Sequence, residues 1–183
     1  MILSGSVETV VRRITYLHSR ADGRDTLVQR FQFNGPSADA DAIRDILLTA
    51  PLIGDNSVFG NCAGEETNAT DRARTVRGFS PAPGFRFDVD ITQTEGKFLV
   101  RFSQPERNMP YLQGDLLWTI HDDSTGAVLD EQINTQQASE AGAEPLGGPQ
   151  LSFRRWLFFR IGHKQVMTGA SRNIAALVDR DNI

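Results

Sequence analysis

A chain of 183 residues, 39% hydrophobic and 23% charged, is long enough to bury one substantial core and too apolar to stay disordered. Nineteen basic against 23 acidic residues give a formal charge of −4, which opposes nucleic-acid binding because that needs a basic footprint. A single cysteine, Cys62, excludes an internal disulfide framework and a cysteine-built metal centre, and no apolar run approaches the roughly 20 residues that span a bilayer.

Met1-Ile-Leu-Ser-Gly has neither the basic nor the long apolar region of a secretory signal, so a cytoplasmic protein of one domain, 1–183, is expected. The sequon Asn68-Ala69-Thr70 carries no meaning in that compartment. Oligomeric state is left open.

From Val7 to His18, Val10, Ile14 and Tyr16 alternate with polar neighbours, and the β-branched content favours a strand. Ala21-Asp22-Gly23-Arg24 supplies a turn, and alternation resumes through Leu27, Phe31 and Phe33, so an antiparallel hairpin is expected. After Asn34-Gly35-Pro36, Ser37 is the expected helix N-cap, with Asp39 and Asp41 at the positive end of the dipole. Ile43, Ile46, Leu47 and Ala50 follow at helical spacing until Pro51 ends the run. Between Leu52 and Arg74 glycines and asparagines break any period; a short strand or loop near Val58 to Cys62 and then a polar connection are expected.

Arg74 to Phe79 reads as ordered again, and beyond the Ser80-Pro81-Ala82-Pro83-Gly84 turn the alternation is the cleanest in the chain. Phe85, Phe87, Val89 and Ile91 share one face, while Arg86, Asp88, Asp90 and Thr92 share the other, in water. Thr94 to Lys97 turns the chain into Phe98, Val100 and Phe102. Leu112–His121 is expected to pair with Val128–Thr135 across Asp122 to Gly126, and Gln136 to Pro149 to be a flexible approach to the last element. That element is Leu151–Val178, where Trp156, Phe159, His163, Val166, Ala170, Ile174 and Leu177 form one helical stripe with Arg154, Gln165, Thr168 and Arg172 opposite.

This order of elements, from Thr26 through the Ser37–Ala50 helix and the Phe85–Ile91, Phe98–Phe102 and Leu116–Ile120 strands to Trp156–Leu177, resembles the helix-grip fold of the START and Bet v 1 superfamily. That superfamily includes polyketide cyclases, aromatases and lipid carriers. The resemblance implies an α+β fold in which a curved antiparallel sheet wraps a long C-terminal helix around a cavity. The additional strand Val7–His18 and the missing second short helix depart from it and leave a calycin-like closed β-barrel with a terminal helix as the alternative.

His163 is the one polar residue in the helix stripe. An imidazole there can act as a general acid or base on a ligand, or can simply hydrogen-bond a strand residue. Arg160 stands one turn earlier and can meet an acidic ligand or pair with Asp115. Trp156 and Phe159 accompany His163 on one expected pocket wall, with Phe87, Phe102 and Trp118 opposite. His18, His121 and His163 match no HxH or HExxH spacing, Cys62 has no activating neighbour, and Gly142 to Gly148 opens no GxGxxG turn. No metal and no cofactor are therefore expected. The ligand-binding reading is of an uncharged or weakly acidic, largely apolar small molecule, acted on by a cyclase or isomerase of polyketide-type metabolism or held by a non-catalytic carrier. A filled core serving an interaction protein is the third possibility.

Overall fold

In the computed structural model the described residues are 8–21, 24–83, 85–104, 111–138 and 153–181. Eight strands and two helices follow in the order β1 (Val10–Ala21), β2 (Arg24–Asn34), α1 (Ala40–Thr49), β3 (Ala63–Ala69), β4 (Ala73–Ala82), β5 (Phe85–Thr94), β6 (Lys97–Ser103), β7 (Tyr111–Asp123), β8 (Gly126–Ala138) and α2 (Phe153–Asp181). All strands pair antiparallel in one sheet ordered β1-β2-β8-β7-β6-β5-β4-β3. Because β1 and β3 do not pair with each other, the sheet is curved but unclosed, and the fold is a helix grip rather than the alternative barrel. Register shifts in β1, β3 and β4 mark bulges, which bend a strand where its ladder is interrupted.

The first hairpin brings Leu27, Phe31 and Phe33 into the core against Leu129 and Ile133 of β8. At the β7–β8 turn only glycine fits at Gly126: its φ is +150°, and a Cβ there would stand 2.1 Å from the carbonyl oxygen of Phe33. The N-cap of α1 is Asp39, which accepts from the Ala42 amide at 2.8 Å, not Ser37. Ser37 is spent in the preceding turn, where the Ala38 amide reaches the Gly35 carbonyl, and Asp122 of β7 accepts the Ala40 amide at 2.7 Å. Ile43, Ile46 and Leu47 bury the inner face of α1, and Pro51 follows the Ala50 C-cap.

The expected polar connection after Cys62 is instead an edge strand, β3, whose side chains are almost all exposed. Before it, Leu52 and Val58 are buried, while the Val58 and Phe59 amides bond the Pro51 and Leu52 carbonyls and close the loop on itself. Arg74 anchors this region. Its nearly buried guanidinium donates to Glu66 Oε1 (Nε, 2.8 Å) and to the Leu47 and Ala50 carbonyls at 3.0 and 2.6 Å. In β5, Phe87, Val89 and Ile91 are buried; Asp88 and Asp90 face outward, 3.3 and 3.7 Å from Arg77, as the alternation requires.

The terminal helix buries Met167, Ala170, Ser171, Ile174, Ala175, Leu177 and Val178, and its end is tied to the start of the chain by two hydrogen bonds from Thr9 to Asp179, of 2.8 and 2.5 Å. Val166, expected to be buried, is only half-buried because it borders open space described below. Residues 136–138 continue β8, and the rest of the expected flexible approach lies outside the described residues. Among the described residues no helix is long and apolar enough to cross a membrane.

Candidate functional site: a buried carboxylate and a cavity under the terminal helix

Strand register places Tyr16, Gln29, Glu131, Trp118 and Phe98 side by side in one transverse row on the inner face. Two of these are polar at positions where Leu27 and Phe31, or Leu129 and Ile133, surround them at period two. Glu131 is completely buried. Its Oε1 accepts from Gln29 Nε2 and stands 2.7 Å from His163 Nε2, while its Oε2 accepts from Trp118 Nε1 at 2.6 Å. Burial pushes this carboxyl up, but the attraction of His163 and the bonds from His163, Gln29 and Trp118 outweigh it, and the group is held below its ordinary range. Glu131 is thus a buried anion paired with an imidazole, satisfied on both oxygens.

His163 has a side chain 12% exposed, and it looks onto a cavity of about 460 Å³. The strand wall consists of Val76 and Phe79 on β4, Phe87 and Val89 on β5, Val100 and Phe102 on β6, and Leu116 and Trp118 on β7. Ile161, Gly162, Gln165, Val166, Met167 and Gly169 of α2 form the other wall, and Phe59 and Cys62 close it from the loop before β3. Phe59 packs edge-on against Phe79, with ring centroids 5.3 Å apart, and Phe87 packs the same way against Phe102 at 6.0 Å. The volume falls in the range of small-molecule sites, and the lining is apolar apart from His163, Gln165 and Cys62. Burial pushes the Cys62 thiol up, away from the thiolate form that makes cysteine reactive.

The cavity persists partly because α2 has glycine at two positions that line it, seven residues apart and so on one helix face; a Cβ at Gly162 or Gly169 would meet nothing within 4 Å. Helix-interior glycine costs roughly 1 kcal/mol relative to alanine. Gly169→Ala is therefore expected to raise the unfolding free energy by about 1 kcal/mol in urea titration. A loss of stability would mean that the space beside α2 is not open.

His163, Phe87, Phe102 and Trp118 line the cavity. Trp156 and Phe159 lie on α2, with side chains outside the described residues. Arg160 does not line the cavity; its Nε donates to the Tyr16 hydroxyl at 3.2 Å, towards β1. Nor does it pair with Asp115, which follows the outward parity of β7 and sits 3.4 Å from Arg101. His121 lies near Asp130, 3.8 Å away on the outer face, so the three histidines do not converge. Sequence reasoning missed Glu131 and Gln29. The available signal was a polar residue occupying an inward slot in each of two otherwise apolar strand faces.

No protein-family model and no curated protein matches this chain. Among solved structures it is similar to the di-domain ARO/CYC StfQ from the steffimycin biosynthetic pathway, with a TM-score of 0.59 and 12% identity over 88% of this chain and 54% of that one. Protein Ms6760 from Mycobacterium smegmatis gives a TM-score of 0.54 and 14% identity over 91% of this chain and 96% of that one. CalU16 from Micromonospora echinospora gives 0.51 and 9% over 94% and 92% respectively. At these identities the likeness is one of fold.

Proposed function

We propose that the protein binds a largely apolar small molecule between α2 and strands β4 to β7 and acts on it as a cofactor-independent cyclase or isomerase, with His163 handling the proton. The observation that carries this reading is a buried carboxylate–imidazole pair opening onto an otherwise apolar chamber. Such a chamber folds a flexible substrate by shape and excludes water, which strengthens the single ionic group it contains. Glu131 fixes the imidazole orientation. In this reading His163, which lines the cavity, holds or moves a proton at a ligand carbonyl or enol. The shared fold with an ARO/CYC protein supports the reaction class.

A carrier is the second reading, favoured by the completeness of the Glu131 shell: a buried carboxylate bonded on both oxygens holds α2 on the sheet without any chemistry. The first of two measurements tests what the readings share and the second separates them. Saturable binding of an apolar fluorophore should slow alkylation of Cys62, the chain's one cysteine and part of the cavity wall. With a convertible ligand in hand, His163→Gln should reduce turnover by about 10²- to 10⁴-fold while changing affinity only a few-fold. A change in affinity alone favours the carrier, and absence of any saturable site rejects both.

A further inference from the structure

The cavity is closed on one side of α2 and open on the other. At 3.6 residues per turn, Gly162, Val166 and Gly169 fall within about 60° of one another, at the centre of the helix face that lines it. His163 and Met167 lie on one flank of that face and Ile161 and Gln165 on the other, which puts His163 and Gln165 about 160° apart around the helix. The first flank is shut in: Met167 is 2% exposed and the His163 side chain 12%. On the second, Ile161 is 49% exposed, and Gln165 is exposed as well. Ala82, another exposed lining residue, belongs to β4, which stands four strands away from the β8 that carries Glu131. The cavity therefore has a deep end at the Glu131-bound imidazole and a mouth at Ile161, Gln165 and Ala82.

The mouth offers hydrogen bonds but no charge. A glutamine amide carries two donor hydrogens and an acceptor oxygen, and that of Gln165 bonds to none of the described residues. Among the described residues that line the cavity there is no Asp, Glu, Lys or Arg. Lys164, next along the helix, stands 5.4 Å from the centroid of the Tyr16 ring on the β1 side. Arg86 follows the outward parity of β5, opposite to the Phe87 that faces the cavity. A carboxylate drawn into this mouth gives up hydration and meets no cation, whereas a neutral polar group exchanges water for the Gln165 amide.

We propose that Gln165 is a specificity-determining residue that hydrogen-bonds the solvent-side end of the ligand and selects a neutral amphiphile, ending in a hydroxyl, ketone or amide, over the matching carboxylate. The proposal rests on the reading of the cavity as a ligand site. It also sets the ligand's shape: to reach both Gln165 and His163 it spans roughly 10 Å, the width of a helix with its side chains, with an apolar body beside Gly162, Val166 and Gly169.

The test uses three pyrene probes matched in length, butylpyrene, pyrenebutanol and pyrenebutyrate, titrated by fluorescence into the full chain at neutral pH. The wild type should bind the alcohol most tightly. Gln165→Leu should weaken the alcohol about three- to tenfold, the worth of one neutral hydrogen bond, and leave butylpyrene unchanged or tighter. Gln165→Lys, which places a cation at the mouth, should move the preference to pyrenebutyrate. The position is exposed, and thermal midpoints of both variants check that they fold as the wild type does. Saturable binding with the same order of affinities in all three proteins overturns the role of Gln165 and leaves the cavity standing as a ligand site. No saturable binding of any probe overturns the cavity reading and this proposal together.

Discussion

Glu131→Ala is expected to lower the unfolding free energy by about 3–5 kcal/mol, the cost of breaking a fully buried, hydrogen-bonded carboxylate network. The change strands three donors at once: the Gln29 amide, the Trp118 indole and the His163 imidazole all lose their acceptor. Its pH dependence has a definite sign. A carboxyl whose folded pKa lies below its unfolded value stabilises the fold at every pH above the unfolded value, and that contribution drains away as pH falls through the folded pKa. Glu131 is such a group, with an ordinary value of 4.5. The wild type should therefore lose stability on acidification below that value, and Glu131→Gln, which keeps the shape and removes the titration, should show a shallower decline. Urea midpoints across an acid series measure it; parallel curves for the two proteins would mean that Glu131 does not carry a buried charge.

Arg74→Ala is expected to cost about 2–4 kcal/mol, less than a fully buried pair because Glu66 is 22% exposed. The guanidinium joins three segments, the end of α1, β3 and β4, and its loss leaves the Leu47 and Ala50 carbonyls without that donor. The segment it steadies carries Phe59 and Cys62 to the cavity wall. Alkylation of Cys62 should accordingly be faster in Arg74→Ala than in the wild type under native conditions. Equal rates would show that the loop holds its place without the arginine.

Alternation made the inner strands readable, since Phe87, Val89 and Ile91 must share a face and a slip of one residue would bury Asp88 and Asp90. The terminal helix was legible for the same kind of reason, and His163 stood out as the polar member of its stripe. Ser37 and Asp39 are both good caps two residues apart, and what decides between them is a distant group, Asp122, at the first turn of α1. Strand β3 has no apolar face to betray it, because an edge strand exposed on both sides buries almost nothing. Glu131 belongs to an arrangement assembled from β2, β7, β8 and α2, and no local pattern encodes a meeting of four elements. Whether the core was filled or hollow was partly written in Gly162 and Gly169, whose spacing puts two missing side chains on one helix face.

The transverse row through Glu131 also divides the molecule's tolerance to change. On the β1, β2 and β8 side, Phe31, Phe33 and Leu129 are fully buried in the core and border no open space, and truncating any of them removes a full complement of neighbours. On the β4 to β7 side, Val89, Val100 and Phe102 border empty space, so exchanging one for a larger or smaller residue forfeits fewer contacts. Mutational drift can therefore recontour the chamber at little energetic cost while the strut of Gln29, Glu131 and Trp118 stays fixed. The shape of the chamber and the foldability of the chain are in this way separately adjustable, the first by substitutions on four strands and the second by buried residues such as Gln29 and Glu131 that do not line it.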